Sequence, residues 1–393
     1  MHISSRLDAI SESKTLAITS RAAELRAEGK DIISLSAGEP DFPTPAPIAE
    51  AGIQAIRDGK TRYTPVPGIP ELRALVAQHL ARDYDLDYDA SEICVTASVK
   101  AGLTLALLGL GEPEDKVILP APYWVSYPEV VGLSRAIPEI LPCSETNGFL
   151  PTIPDLEAAL SGDGVAGIIL NSPSNPSGAV WPESLLEALI EICAEYDCWI
   201  LSDEIYARVT YDDARYVSPA SLPGGKERTI VLNGLSKVYS MTGWRIGYMA
   251  APRELITAVT ALQSHALGNP PTISQYAALE ALSDRGVDYP NEMLEAFRKR
   301  RAWLGNALAK LPGFTLHMPA GAFYMFPGVH AILEARGIDD IELAQELLEE
   351  AQVALVPGSA FGAPGHIRFS FAASMDKLQE AIRRIEEWLQ GKL

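Results

Sequence analysis

The sequence predicts an α/β fold: a mainly parallel sheet with helices on both faces, joined to a smaller α+β lobe. Three observations carry this. Short apolar runs recur through the middle of the chain, each ending in polar or turn-forming residues. Helix-length segments such as Glu183–Glu195 separate them, and near-continuous apolar runs are what parallel strands covered on both faces require. From about Asn291 the alternation gives way to a long charged helix and short strand candidates, which marks a change of architecture.

In chain order, the strand Ile93-Cys94-Val95-Thr96 leads to Ser98-Val99-Lys100, which opens a helix running through Leu108. Gly109-Leu110-Gly111-Glu112-Pro113 stops that helix; a dinucleotide loop would follow a strand instead. Val117-Ile118-Leu119 precedes the turn Pro120-Ala121-Pro122, and Gly167-Ile168-Ile169-Leu170 precedes Asn171-Ser172-Pro173. Trp199-Ile200-Leu201-Ser202 runs into Asp203, and Thr229-Ile230-Val231-Leu232 into Asn233. In such sheets ligands gather at the carboxyl ends of the strands. Beyond Asn291–Leu311, strands are expected around Phe323–Phe326 and His366–Phe371. Leu378, Ala381, Ile382, Ile385, Trp388 and Leu389 then form a helical stripe. A chain of 393 residues exceeds one ordinary domain. Residues 40–288 are expected to form the large domain, and 1–39 with 289–393 the small one.

Composition narrows the function. The net charge of −19 without a run of like charges disfavours nucleic acid and anionic membranes as partners. No apolar run reaches membrane-spanning length, and Met1-His2-Ile3-Ser4-Ser5-Arg6 lacks a secretory pattern. Cys94, Cys143, Cys193 and Cys198 show no CxxC pair, as expected of reduced thiols in a cytoplasmic enzyme. No metal is expected.

The chemistry centres on Lys237, in Asn233-Gly234-Leu235-Ser236-Lys237-Val238-Tyr239-Ser240-Met241-Thr242-Gly243-Trp244-Arg245-Ile246-Gly247-Tyr248. Such a lysine can form a Schiff base with an aldehyde cofactor while Ser236 and Arg245 hold a phosphate; the plain alternative is a surface lysine beside a turn. Asp203, after a buried strand, can pair with a protonated ring nitrogen or simply cap a helix. Tyr206 and Asn175 can meet a phenolate oxygen on the same ring. Ser98 and Val99 offer the start of a helix to a phosphate. Trp124 can stack on a flat cofactor or fill the core.

The segment around Lys237 resembles the cofactor-lysine signature of class I/II aminotransferases, the enzymes that use pyridoxal 5′-phosphate. Further matching stretches resemble the bacterial aspartate aminotransferase branch of fold type I: Leu35–Phe42, Tyr63–Arg73, Pro122–Pro128, Asn171–Gly178, Asp203–Tyr206, Gly321–Tyr324 and His366–Ser370. The resemblance implies that Lys237 carries the cofactor and shuttles the proton. It implies that Asp203 pairs with the pyridine nitrogen, Tyr206 and Asn175 with the phenolic oxygen, and that Trp124 stacks on the ring. Ser98, Val99, Ser236 and Arg245 would hold the phosphate. Tyr63 would reach the phosphate of a neighbouring subunit, which implies a homodimer with shared sites. Arg368 would bind the substrate α-carboxylate, helped by Asn175 and the Gly38 backbone.

The implied reaction is transamination between an aspartate-like L-amino acid and a 2-oxo acid such as 2-oxoglutarate. Lys100 is the candidate for the side-chain carboxylate, and Thr15 for the entrance. Leu267-Gly268 stand where related enzymes carry more serine and threonine, which leaves an aromatic or broad-range aminotransferase as the nearest alternative. A carbon–sulfur β-lyase on the same scaffold and a non-enzymatic cofactor-sensing module are the distant ones. The acidic charge disfavours the last.

Overall fold

Seven strands form the central sheet of the computed structural model, which describes residues 14–392. They are β1 (Ile93–Thr96), β2 (Lys116–Ala121), β3 (Ile137–Pro142), β4 (Val165–Asn171), β5 (Trp199–Asp203), β6 (Thr229–Gly234) and β7 (Gly247–Ala250). Their spatial order is β1-β7-β6-β5-β4-β2-β3. The pairs from β6 through β5, β4 and β2 to β3 are parallel, and β7 runs antiparallel to both β1 and β6. Six strands therefore end at one edge of the sheet, and β7 begins there.

The strands are pinned by period-two burial. Leu119, Ile169, Leu201 and Leu232 join a cluster with Leu103 and Leu107 of the helix Val99–Leu110. Ile118, Ile168, Leu170 and Ile200 point the other way, onto the helices Ile153–Leu160 and Glu183–Glu195. Near β1 and β7, Val95, Val231 and Tyr248 pack on the helices Pro70–Tyr84 and Thr272–Leu282. Both faces are covered, as the continuous apolar runs require.

The rest of the strands lie in two small sheets. Ile33–Ser34 pairs in parallel with Val353–Ala354, and Ile367–Ser370 lies between Val356–Pro357 and Tyr324–Met325 in antiparallel register. Ser370 also donates its amide to the Leu35 carbonyl, so the beginning and the end of the chain meet here. The helix Asn291–Leu308 ends three residues short of the expected Leu311, and the helix Met375–Lys392 buries the whole expected stripe from Leu378 to Leu389. Arg300 on the former forms a two-pronged pair with Asp41 at 2.7 and 2.9 Å, fastening the segment after Gly38. No helix among the described residues is long and apolar enough to cross a membrane.

Candidate active site

The edge where six strands end holds a cavity of about 340 Å³. Twelve of the candidate residues line it: Gly38, Ser98, Val99, Lys100, Trp124, Asn175, Asp203, Tyr206, Ser236, Lys237, Arg245 and Arg368. The sheet explains the gathering. Ser98 follows β1, Trp124 follows β2, Asn175 follows β4, Asp203 ends β5 and Lys237 follows β6. Arg245 reaches the same edge because β7 is reversed and starts just after it.

One corner is built for an anion. Ser98 caps the helix Val99–Leu110, its hydroxyl accepting from the Ala101 amide at 3.3 Å. Its φ of 116° lies in a region that serine rarely adopts, a strain on the order of 1–3 kcal/mol. The Thr96 hydroxyl donates to the Ser98 carbonyl at 2.8 Å, holding that turn. Gly234 and Gly247 face each other across β6 and β7. A Cβ on Gly247 would stand 2.7 Å from the Val99 nitrogen, and one on Gly234 would stand 3.0 Å from Val99 Cγ2. The glycines around the lysine segment thus let two strand ends lie against the start of a helix, whose free N–H groups favour negative charge. Ser236 and the exposed Arg245, which donates to the Thr242 carbonyl at 2.8 Å, complete the corner.

The Lys237 amine donates to the Gly38 carbonyl at 2.6 Å. Burial pushes its pKa down to about 8; Glu39 and Asp203 pull it up, and Arg368 and Arg245 push it down further. Burial pushes Asp203 up to about 6, against hydrogen bonds from Tyr127 and the Ile205 amide and the charge of Lys237. Tyr127 donates to Asp203 Oδ2 at 2.8 Å and the Ile205 amide to Oδ1 at 3.3 Å. The Tyr206 and Tyr324 hydroxyls are 2.8 Å apart, and burial raises the Tyr206 pKa well above its ordinary value.

The opposite wall carries Arg368, fully desolvated, with its charge over the Tyr324 and Phe361 rings at 4.5 and 4.9 Å. Nη1 donates to Asn175 Oδ1 at 2.9 Å and Nη2 to the Ser36 carbonyl at 2.6 Å, while buried Nε has no partner among the described residues. A buried guanidinium with donors to spare is a ready carboxylate fork. Lys100 is exposed on the first turn of its helix, 4.7 Å over the Trp124 ring; desolvation and then Arg245 lower its pKa.

Three candidates fall elsewhere. Tyr63 is 97% exposed and Leu267 55% exposed, and neither lines the cavity of its own chain. Both lie on one surface: Thr272, just past Leu267-Gly268, donates to the Arg62 carbonyl at 2.8 Å, and Gln275 donates to Thr64 at 3.0 Å. The Thr15 side chain lies outside the described residues. Conversely, Tyr127, Tyr324 and Asn171 line the cavity without having been singled out. Asn171 donates to the Asp203 carbonyl and accepts from the Asn175 amide, both at 2.9 Å, splicing the Asn175 loop to β5. The one sequence signal for the tyrosines is that a buried hydroxyl needs a partner.

Residues 30–385 match the family model described as Aminotransferase class I and II. The chain is 45% identical, over 99% of its length and 98% of the relative, to a protein of Aquifex aeolicus named as a probable aspartate/prephenate aminotransferase. It is 44% identical to the aspartate aminotransferase of Geobacillus stearothermophilus over the full length of both. Its fold superposes on the aspartate aminotransferase of Thermus thermophilus solved with maleate at a TM-score of 0.94, with 38% identity over 98% of this chain and 99% of that one.

Proposed function

The chain belongs to the class I and II aminotransferases, and from this premise we propose that it moves the amino group of an aspartate-like L-amino acid to a 2-oxo acid such as 2-oxoglutarate, with pyridoxal 5′-phosphate as cofactor. The residues fit that group. Asp203 is buried, and its hydrogen bonds come from the neutral Tyr127 hydroxyl and Ile205 amide, so among the described residues no cation is hydrogen-bonded to it, the place a protonated ring nitrogen would take. Gly234 and Gly247 let the ends of β6 and β7 lie against Ser98 and Val99, which brings Ser236 and Arg245 to the helix start where a phosphate would be held. When bound, the cofactor would act as an electron sink for the substrate Cα.

The protein's part is to position and to move a proton. The Lys237 amine would hold the cofactor covalently until substrate arrives. A pKa near 8 then leaves it neutral often enough to take a proton from the substrate Cα. Asp203 would keep the ring nitrogen protonated. Tyr206 and the Asn175 amide would meet the ring oxygen, and Trp124 would cover the ring face. Ser98, Val99, Ser236 and Arg245 would hold the phosphate. Arg368, steadied by Asn175 and Ser36, would fix the α-carboxylate and so aim the Cα–H bond. The proposal keeps the division into 40–288, which supplies the cofactor-directed groups, and 1–39 with 289–393, which supplies Gly38 and Arg368.

The single observation that carries this reading is that Lys237, Asp203 and Arg368 face one cavity from three separate parts of the chain. For the second carboxylate of the substrate, Lys100 is the cation at the rim. The name of the Aquifex relative adds prephenate, a 2-oxo acid with a second carboxylate, as a further acceptor. The shared exposed surface of Tyr63 and Leu267 supports a homodimer in which Tyr63 completes the partner's phosphate site. A cytoplasmic setting belongs to the same reading.

Steady-state rates with a panel of L-amino acids against 2-oxoglutarate, oxaloacetate and prephenate test it. Aspartate and glutamate should give the largest kcat/KM. A preference for phenylalanine over both would replace the dicarboxylate reading by the aromatic one. Product release without any 2-oxo acid would point to a lyase.

A further inference from the structure

Away from the cavity, Glu145, His330 and His366 bring ligand atoms within 4.8 Å of one another. Glu145 opens the turn Glu145–Asn147 after β3, His330 begins the helix His330–Arg336, and His366 stands directly before the strand Ile367–Ser370. The His366 ring is only 7% exposed. It is stacked on Phe326 at 5.0 Å and 9° and held edge-on by Phe149 and His330. Its Nδ1 is 3.3 Å from the Pro364 carbonyl. A hydrogen bond to that carbonyl places a proton on Nδ1, and the neutral ring then presents its lone pair at Nε2. Nε2 is buried, has no hydrogen-bond partner among the described residues, and lies 3.5 Å from Glu145 Oε2. In the neutral ring two lone-pair atoms thus face each other, with the His330 ring alongside.

We propose that Glu145, His330 and His366 bind a divalent cation of the zinc class. Two imidazoles and one carboxylate select zinc, cobalt or nickel over magnesium or calcium, and three protein ligands leave a fourth position for water. Bonds of about 2.0–2.1 Å to a tetrahedral ion set ligand atoms roughly 3.4 Å apart. Closure therefore needs a shift of about 1 Å, which the exposed His330 can make. The surroundings serve the ligands. Thr315 donates to Glu145 at 3.1 Å, orienting the carboxylate as outer partners of metal sites do. Gly365 and Gly328 clear the space, since a Cβ on Gly365 would stand 2.1 Å from the His330 ring and one on Gly328 would stand 3.1 Å from Glu145 Oε2. The ion would join the turn after β3 to the strand that carries Arg368, two residues beyond His366.

The test is zinc binding by the chelator-treated, cofactor-loaded protein, followed by competition with a chromophoric zinc chelator. The wild type should take up one zinc per chain. His330→Ala and Glu145→Gln, both at accessible positions, should each weaken that binding at least about tenfold while leaving the circular dichroism unchanged. No stoichiometric zinc in the wild type would overturn the proposal. Zinc bound equally well by both variants would overturn it too, since the metal would then sit elsewhere.

Discussion

The Tyr127 hydroxyl donates to Asp203 Oδ2 at 2.8 Å, and both groups are buried. This bond steadies the ionised aspartate in a place where burial otherwise favours its neutral form. Tyr127→Phe keeps the shape and removes the bond. A hydrogen bond to a charged group contributes about 1.5–3 kcal/mol, so the variant should bind pyridoxal 5′-phosphate roughly 10–100-fold more weakly in an absorbance titration. Unchanged affinity would dismiss Tyr127 as a support of Asp203.

Lys237→Ala should lose the absorbance near the visible edge that a lysine-bound cofactor gives. Its turnover should fall by about 10²–10⁴-fold or more, the range of a positioned acid–base group. A variant keeping both the absorbance and full turnover would contradict the assignment.

Lys100→Ala should raise the KM for aspartate by about 10–100-fold, the worth of one charge-assisted hydrogen bond, and barely change that for phenylalanine. Equal losses with both substrates would take Lys100 out of side-chain recognition.

The sign of a pH effect follows from Asp203. In the cofactor-free folded chain it titrates near 6, against an ordinary 3.8. Between those values the unfolded chain has released a proton that the folded chain keeps, so stability falls as pH rises from about 4 to about 6. The full penalty, at most about 3 kcal/mol, stands above that. Asp203→Asn should therefore be more stable than the wild type at pH 8 and not at pH 4 in urea unfolding of the cofactor-free proteins. The same difference at both pH values would refute the account.

Gly247→Ala should cost about 1–3 kcal/mol of stability and weaken cofactor binding, because the new Cβ drives into the Val99 nitrogen. Unfolding and absorbance titrations check the two effects separately. Loss of stability with unchanged affinity would remove the glycine pair from the phosphate corner.

The buried parallel strands were legible because burial on both faces leaves an uninterrupted apolar run, as in Gly167–Leu170 and Trp199–Ser202. β3 was not, because it is the edge strand: four of its six residues face solvent, and Pro138 and Pro142 break the pattern. β7 is only four residues long and was absorbed into the lysine segment. Within the site, the groups at strand ends were readable from their positions. Tyr127, Tyr324 and Asn171 were not, since each matters through a contact with a residue far along the chain. Glu145, His330 and His366 escaped for the same reason: no spacing in sequence announces a cluster drawn from three distant elements.

The reversed direction of β7 makes the lysine segment a lasso. Gly234 and Gly247 tie its knot by pairing across the sheet, and each strand is held again on its far side by β5 or β1. The rope between the knots cannot be lengthened or shortened without moving Arg245 away from Ser236 or shifting a strand by one residue, which would turn its buried side chains outward. The eight-residue step from Lys237 to Arg245 is therefore a measurement taken by the sheet itself, and it explains why this one stretch is the most recognisable in the chain.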